Sequence, residues 1–483
     1  MSEQVAGLDV RAAPSTESVS ARRRFLLPLA LAQFICSFAG SNMSVMINDI
    51  SEDLNTTVKG VQTAITLFLL IMAILMIPGS KLSDKWGRKR CFMIGLVLYG
   101  IGALLSAASP GLGVLILGNS VFEGVGTALL IPPVYILTTL AFSDVTSRAK
   151  AFGTIMAAAG IGAAAGPLIG GLITTGISWR AAFVFQALVI AAIVLLSRRG
   201  VVDPLPADPE RPFDTVGAVL SGVGLFCLVF AILQIGTENV LAVAFAAVGA
   251  VFLVAFFIYI RRRERAGKEV LLSTGLFKNR TSDLALVTQN IQWLMLMGTS
   301  FVVAVYLQEV RGYNAIKTGV VFTAATVGVL LTSLLAERFA TRRTQKTLIV
   351  GGFIGAIAGI VLLIVLVRAW SSVVAFVPGL FVIGAGLGIM LTPSVNVVQS
   401  SFPEELQGEI SGLSRSISNL GSSLGTAIAG TILVSAVALG NASYAWAMVS
   451  LAVAGAIGLG AALLLPSTPV VPSVADNQLQ ADQ

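Results

Sequence analysis

The chain has 483 residues, of which 56% are hydrophobic and only 11% charged, with three cysteines, no histidine and a formal net charge of +7. A soluble domain of ordinary composition carries about 25% charged residues, so most of these apolar side chains have nowhere to go but lipid. The positive charge is therefore read as membrane topology rather than nucleic-acid affinity, and the lack of histidine excludes a histidine-ligated metal or a histidine acid–base pair.

Residues 1–21 are polar and rich in small side chains, and are expected to form a disordered cytoplasmic tail. The first apolar run, 25–47, follows Arg22-Arg23-Arg24 and is too long for a signal h-region, so it is read as a retained span. Further runs follow at 60–78, 91–109, 112–135, 149–174, 180–197, 214–235, 241–260, 283–307, 318–336, 347–367, 374–398, 408–433 and 442–465. Only helices or closed barrels satisfy every backbone group in lipid, and these runs lack the alternation of barrel strands. The expected fold is an all-α polytopic membrane protein of fourteen spans. Cys36, Cys91 and Cys227 fall in or beside apolar runs and suggest no disulfide framework.

The connection 198–213 (RRGVVDPLPADPERPF) is rich in proline and carries both signs of charge. It divides the chain into an N-terminal six-helix bundle (22–199), a linker with an inserted two-span hairpin (200–280), a C-terminal six-helix bundle (281–466) and a second cytoplasmic tail (467–483). Two six-span bundles suggest duplicated origin, an arrangement common in secondary transporters. Basic residues fix the expected orientation. With the N-terminus inside, only Lys59, Arg180, Arg311, Lys317 and Arg368 fall in or at the edge of outside loops, and Arg415 lies well inside a span. That asymmetry follows the positive-inside rule and places both termini in the cytoplasm of a cell-membrane protein.

One cytoplasmic connection, PGSKLSDKWGRKR at 78–90, concentrates Lys81, Asp84, Lys85, Arg88, Lys89 and Arg90. Topological anchoring would explain the basic residues, but not an acid and two glycines at fixed spacing. Gly79 would permit close helix approach, Gly87 a turn that larger residues resist, and Asp84 could receive an arginine or a helix N-terminus. The stretch resembles the G-x-L-x-D-x-x-G-R-[RK] loop of the major facilitator superfamily, with Leu82, Asp84, Gly87, Arg88 and Lys89 in register and Lys81 between Leu82 and a glycine, Gly79, that stands one residue early. The resemblance implies a conformational latch made of Gly79, Asp84, Gly87 and Arg88. In the fifth span, Gly162, Gly166, Pro167, Gly170 and Gly171 are similar to the family's G-x-x-x-G-P-x-x-G-G signature, associated with exporters that exchange substrate for protons. Small residues at this spacing let helices approach backbone to backbone. The stretch WRAAFVF at 179–185 and the thirteenth span, GEISGLSRSISNLGSSLGTAIAGTIL, resemble the fourteen-span drug:proton antiporter branch.

That branch usually carries an aspartate in its first span, where this chain has Ala39, and an arginine in its fourth, where it has Ser120 and Glu123. The arginine of the thirteenth span is also displaced, with Ser418 in its usual place and Arg415 one turn earlier. The proton carrier must therefore be sought among the residues themselves. Glu123, about eleven residues into its span, is expected near mid-membrane, and Asp49 at the outer end is the second coupling candidate. Arg415 lies roughly 10 Å inside the cytoplasmic face, either functional or snorkelling to it. Buried charges in spans are functional by default. Asp283, Glu337 and Glu409 are expected at interfaces, solvated. The serine stripes of the first and thirteenth spans read as interhelical ties, while Gln33, Asn42, Gln289, Trp293, Asn396 and Arg415 are the candidate lining of a substrate cavity.

No long loop, nucleotide-binding stretch or paired-carboxylate site is present, so an enzyme and an ATP-driven pump are both disfavoured. The expected function is export of hydrophobic or amphipathic compounds, cations among them, in exchange for protons by alternating access. The alternative is export of an endogenous metabolite or lipid, facilitated or proton-linked. No cofactor or metal is expected beyond the proton gradient. The expected partners are a small-molecule substrate, protons and the lipid bilayer, and the chain is expected to be a monomer.

Overall fold

The computed structural model describes residues 19–467, apart from 143–144, 204–206, 211, 341–343, 371, 403–405 and 436–440. Most of both expected tails lies outside the described residues, although helix already begins at Val19.

Helix α1 (Val19–Asn42) continues through a 3-10 turn at Met43–Met46 into a short helix at Ile47–Asp53. It is followed by α2 (Val58–Trp86), α3 (Arg88–Ala107) and α4 (Leu112–Ala141), the last containing a π-helical turn at Ile116–Glu123. Next come α5 (Val145–Gly176), α6 (Trp179–Gly200), α7 (Thr215–Gln234) and α8 (Asn239–Arg265). The remainder comprises α9 (Arg280–Val305, prolonged by a π turn at Tyr306–Val310), α10 (Ala315–Ala340), α11 (Gln345–Ala369), α12 (Phe376–Gln399), α13 (Gln407–Ser435) and α14 (Asn441–Leu463).

Helix starts are set by side chains that accept otherwise unpaired backbone N–H groups. Thr57 caps α2 through Gly60 N (3.2 Å), Ser178 caps α6 through Ala181 N (3.3 Å), and Asp214 caps α7 through Gly217 N (3.0 Å). Among the described residues, 12 helices are long and apolar enough to cross a membrane, or 13 if the bent pair within α5 is one span. The fourteen expected from the sequence are therefore not all reached among the described residues, and α13 is the expected span outside that set. Its hydroxyls meet neighbouring helices instead of lipid, so it does not need an apolar surface.

α1 packs on α5 and α6, α3 on α4 and α6, and α2 on α4; in the second half, α12 lies against α10 and α11, and α9 against α13 and α14. Two seams join the halves: α2 runs along α13, and α5 meets α10. The hairpin α7–α8 covers the first seam. Leu225, Val229, Ile232 and Leu233 of α7 pack against Leu67, Leu70 and Ile74 of α2 and against Leu420, Leu424 and Ala427 of α13. We call the end of the molecule with the 78–90 loop the basic face, and the other end the far face.

Candidate functional site

The 78–90 loop is built by a helix break. Gly87 ends α2 with φ +94°, a left-handed backbone that favours glycine, and α3 begins at Arg88. A Cβ at Gly79 would collide with the Ala128 carbonyl of α4, so α2 and α4 touch backbone to backbone there. Asp84 Oδ1 accepts from Arg88 Nη2 at 2.7 Å, one turn apart. The α3 N-terminus is received by a different acid, Asp203 of the 198–213 connection, whose Oδ2 accepts from Arg88 N (2.7 Å) and Lys89 N (3.2 Å). Spacing alone made Asp84 the candidate for this role because only it lay within the motif.

The charge that crosses between the halves is also outside the motif pairing. Lys81 Nζ lies 2.6 Å from Glu409 Oε1, joining the end of α2 to the start of α13. Glu409, expected to be merely solvated, thus holds a cross-bundle ion pair. Opposite charges at the basic-face ends of two helices were the available signal, but nothing in the sequence paired those helices. Farther along this seam Ser416 Oγ donates to Ala73 O (2.5 Å), Ser423 Oγ to Thr66 O (3.1 Å), and Gln62 Nε2 to Thr426 O (3.1 Å). Each bond runs from a side chain to a backbone carbonyl, so the seam is polar along its length while facing no lipid.

The α5 signature has two faces. Cβ atoms at Gly162, Gly166 and Gly170 would strike Phe34, Ser41 and Asn42 of α1, so this row holds α5 against α1. Gly171 faces Ala315 O of α10, where a Cβ would come within 2.5 Å, and the Pro167 carbonyl lies against Gly319. The same stretch therefore packs inside one half and against the other. At the far face, Gln308 of α9 donates to Ser44 O (3.0 Å) and accepts from Asn48 N (3.2 Å).

Between the halves, nearer the basic face, Arg415 of α13 lies over the Tyr135 ring of α4, 4.6 Å from its centroid, and donates to the Tyr135 hydroxyl. That hydroxyl donates to Gln33 Oε1 of α1 (3.2 Å), and the ring stacks on Phe152 of α5 at 5.9 Å. Arg415 therefore points at an aromatic group instead of snorkelling out. Tyr135 and Phe152 went unnoticed in the sequence because an aromatic in an apolar run carries no distinguishing signal.

The other candidate lining residues divide. Gln289 is buried and commits both ends of its amide to α13, accepting from Ser414 Oγ (3.0 Å) and donating to Ser418 Oγ (2.8 Å). It is an interhelical tie in this conformation, not a free lining group. Trp293 is half-buried on the same helix, and Asn396 is exposed near the basic-face end of α12. Asn42 is buried behind Gly170, its Nδ2 without a partner. Asp49 is half-buried in the short helix at the far end of α1.

Glu123 is fully buried, but it faces away from the seams. It ends the π turn of α4 and lies inside the first half, where Ser106 Oγ of α3 donates to its Oε1 at 3.4 Å while Oε2 has no partner. Its backbone is level with Gly102 of α3, about 8 Å from that helix's last residue, Ala107. Along α3 that level is nearer the far face than the basic face. Counting residues along α4 measures only from Leu112, whereas the packing of Gly102 against the π turn sets the level of Glu123 against α3. Tyr99 of α3 is its other polar neighbour, and the Tyr99 hydroxyl donates to Gln186 Oε1 of α6 at 2.6 Å.

Residues 29–426 match the family model described as Major Facilitator Superfamily. The chain is 29% identical over 422 residues to the puromycin resistance protein pur8 of Streptomyces alboniger, covering 86% of this chain and 82% of that one. It is 28% identical over 414 residues to the multidrug resistance protein Stp of Mycobacterium tuberculosis, covering 84% and 75%. A crystal structure of the peptide transporter POT in complex with sulfate superposes with TM-score 0.67 at 17% identity, covering 92% of this chain and 95% of that one, a likeness of fold. Relatives of this kind agree with the drug:proton antiporter branch that the motifs suggested. The helices, the two seams between halves and the match across most of its length make this chain a member of the major facilitator superfamily, a multi-pass membrane transporter of small molecules and not an enzyme.

Proposed function

We propose that this transporter exports amphipathic compounds from the cytoplasm in exchange for protons, with residues 22–199 and 281–466 as the two rocking bodies and the basic face inside. In this reading all fourteen helices cross the membrane. α13 does so at the centre, where its serines meet helices and not lipid. Substrate enters from the basic face and meets Tyr135, Phe152 and Arg415, where aromatic faces and a guanidinium suit flat amphipathic molecules. The names of the relatives, resistance proteins for puromycin and for multiple drugs, support export as the direction.

The observation that carries proton coupling is Glu123, a wholly buried carboxyl with one oxygen unpaired. An ionised carboxylate in the membrane costs about 2.5–3.5 kcal/mol on insertion scales. It therefore holds a proton while occluded and gives it up when water reaches it, so its charge follows which side is open. Glu123→Gln keeps shape and hydrogen bonding but cannot titrate. In proteoliposomes this variant is expected to exchange substrate down a gradient and to fail to concentrate it under an imposed pH difference. Uphill export at the wild-type rate would overturn the proposal.

A further inference from the structure

Four polar side chains from three helices meet in the interior of the first half: Tyr99 and Ser106 from α3, Glu123 from α4 and Gln186 from α6. Each is fully buried. The cluster holds two hydrogen-bonded pairs, the Tyr99 hydroxyl to Gln186 Oε1 at 2.6 Å and Ser106 to Glu123 at 3.4 Å, and Tyr99 is also a hydrogen-bonding neighbour of Glu123. Two atoms in it have no partner, Glu123 Oε2 and Gln186 Nε2. Of the remaining neighbours, Cys36 of α1 donates to Thr127 Oγ1 (3.8 Å), and Thr127 itself donates to the Glu123 backbone carbonyl (2.8 Å). Ser120, at the α2 side of the same turn, donates to Ala64 O (2.8 Å). Among the described residues, no lysine, arginine or second carboxyl acts on Glu123; Tyr99 and Cys36 are the titratable groups around it.

A carboxylate in such surroundings has only hydroxyl and amide donors to receive its charge. Ser106 is partly committed elsewhere, since its hydroxyl also donates to Gly102 O at 2.9 Å. The Tyr99 hydroxyl can choose between two acceptors by rotation about a single bond. Gln186 can follow by turning its amide, presenting its unpaired Nε2 to the phenol oxygen in place of Oε1. We infer that Tyr99 and Gln186 are positioning residues for the proton site proposed above, forming a hydrogen-bond switch that points toward Gln186 when Glu123 is protonated and toward Glu123 when it is ionised. In the ionised state the chain runs Gln186 Nε2–H to Tyr99 Oη, then Tyr99 O–H to the carboxylate. The proton itself leaves Glu123 for water, and no other group gains or loses one. Both unpaired atoms acquire a use, each in one state of the cycle. The site is also remote from the substrate region. Tyr135 lies twelve positions farther along α4, about 18 Å at 1.5 Å per residue, so the two events communicate through that helix rather than by competing for one carboxyl.

The inference rests on Glu123 being the proton carrier, and two variants separate the claims. Tyr99→Phe removes the donor that receives the anion. The internal pH at which export is half-maximal is then expected to rise by about one unit, the size of one charge-assisted hydrogen bond. Gln186→Leu removes the competing acceptor and leaves Tyr99 aimed at Glu123, so the same midpoint is expected to fall. Proton-independent substrate exchange should stay within about twofold of wild type in both. The infrared band of the protonated carboxyl, assigned by its loss in Glu123→Gln, should titrate with the same opposite shifts, and this holds even for a variant that transports poorly. If Glu123→Gln uncouples but the band and the pH profile are unmoved in Tyr99→Phe and Gln186→Leu, the switch is wrong and the carrier stands. Shifts of the same sign in both variants would also overturn it. Undiminished uphill export by Glu123→Gln would instead remove the carrier itself.

Discussion

Breaking the Lys81–Glu409 pair tests whether the two halves are held together at the basic face. The N···O separation is 2.6 Å, and the side chains are 15% and 24% exposed. At an effective dielectric constant of 20 the bare attraction is roughly 6 kcal/mol, but both ions give up hydration to meet. Fully exposed pairs keep about 0–1 kcal/mol, whereas removing one partner of a fully buried pair costs about 3–5 kcal/mol. A mostly covered pair open to water on one side falls between these, at about 2 kcal/mol. That corresponds to roughly a 30-fold change in an equilibrium constant. Because the pair joins α2 to α13, it forms only when their basic-face ends meet, so Glu409→Gln or Lys81→Met shifts the population toward conformers in which they part. Spin labels at the exposed Trp86 and Ser400 would report this as a longer-distance peak in double electron–electron resonance. The exchanged pair, Lys81→Glu with Glu409→Lys, should restore the wild-type distribution. Unchanged distances in the single variants, or an exchanged pair that behaves as the sum of the two, would refute the reasoning.

Asp203→Asn weakens the acceptor for Arg88 N and Lys89 N at the start of α3; a loss of about 1 kcal/mol is expected, measured as a lower thermal midpoint in detergent, with no change if the connection merely passes nearby. For topology, cysteines replacing Val310 and Trp370 should react with an impermeant reagent from outside, and those replacing Leu205 and Arg342 should not. Labelling of Leu205→Cys from outside would reverse the orientation.

Much of this molecule follows from one-dimensional information. Runs of apolar residues must become helices in lipid, whatever packs against them, so the helices were legible, although 12 or 13 of the fourteen expected runs meet the test for a crossing among the described residues. The glycine at 87 and the row at 162, 166, 170 and 171 were legible for a similar reason, since a missing Cβ has few uses other than a turn or a close approach. α13 was visible as a serine stripe, though not as the helix that joins the halves. Partnership is a different kind of fact. Lys81 and Glu409 are separated by most of the chain, and only the α2–α13 seam makes them a pair. Asp203 receives the α3 N-terminus because the connection folds back over the loop, and Gln289 is tied because α9 lies on the serines of α13. Glu123 shows the division most clearly. Its acidity in an apolar run marked it out from the sequence, while the level of α3 against a π turn decided its depth, its burial away from the seams and the Tyr99–Gln186 pair beside it. Hydrophobicity acts locally on each span, whereas hydrogen bonds and ion pairs need a second group whose position only helix packing sets.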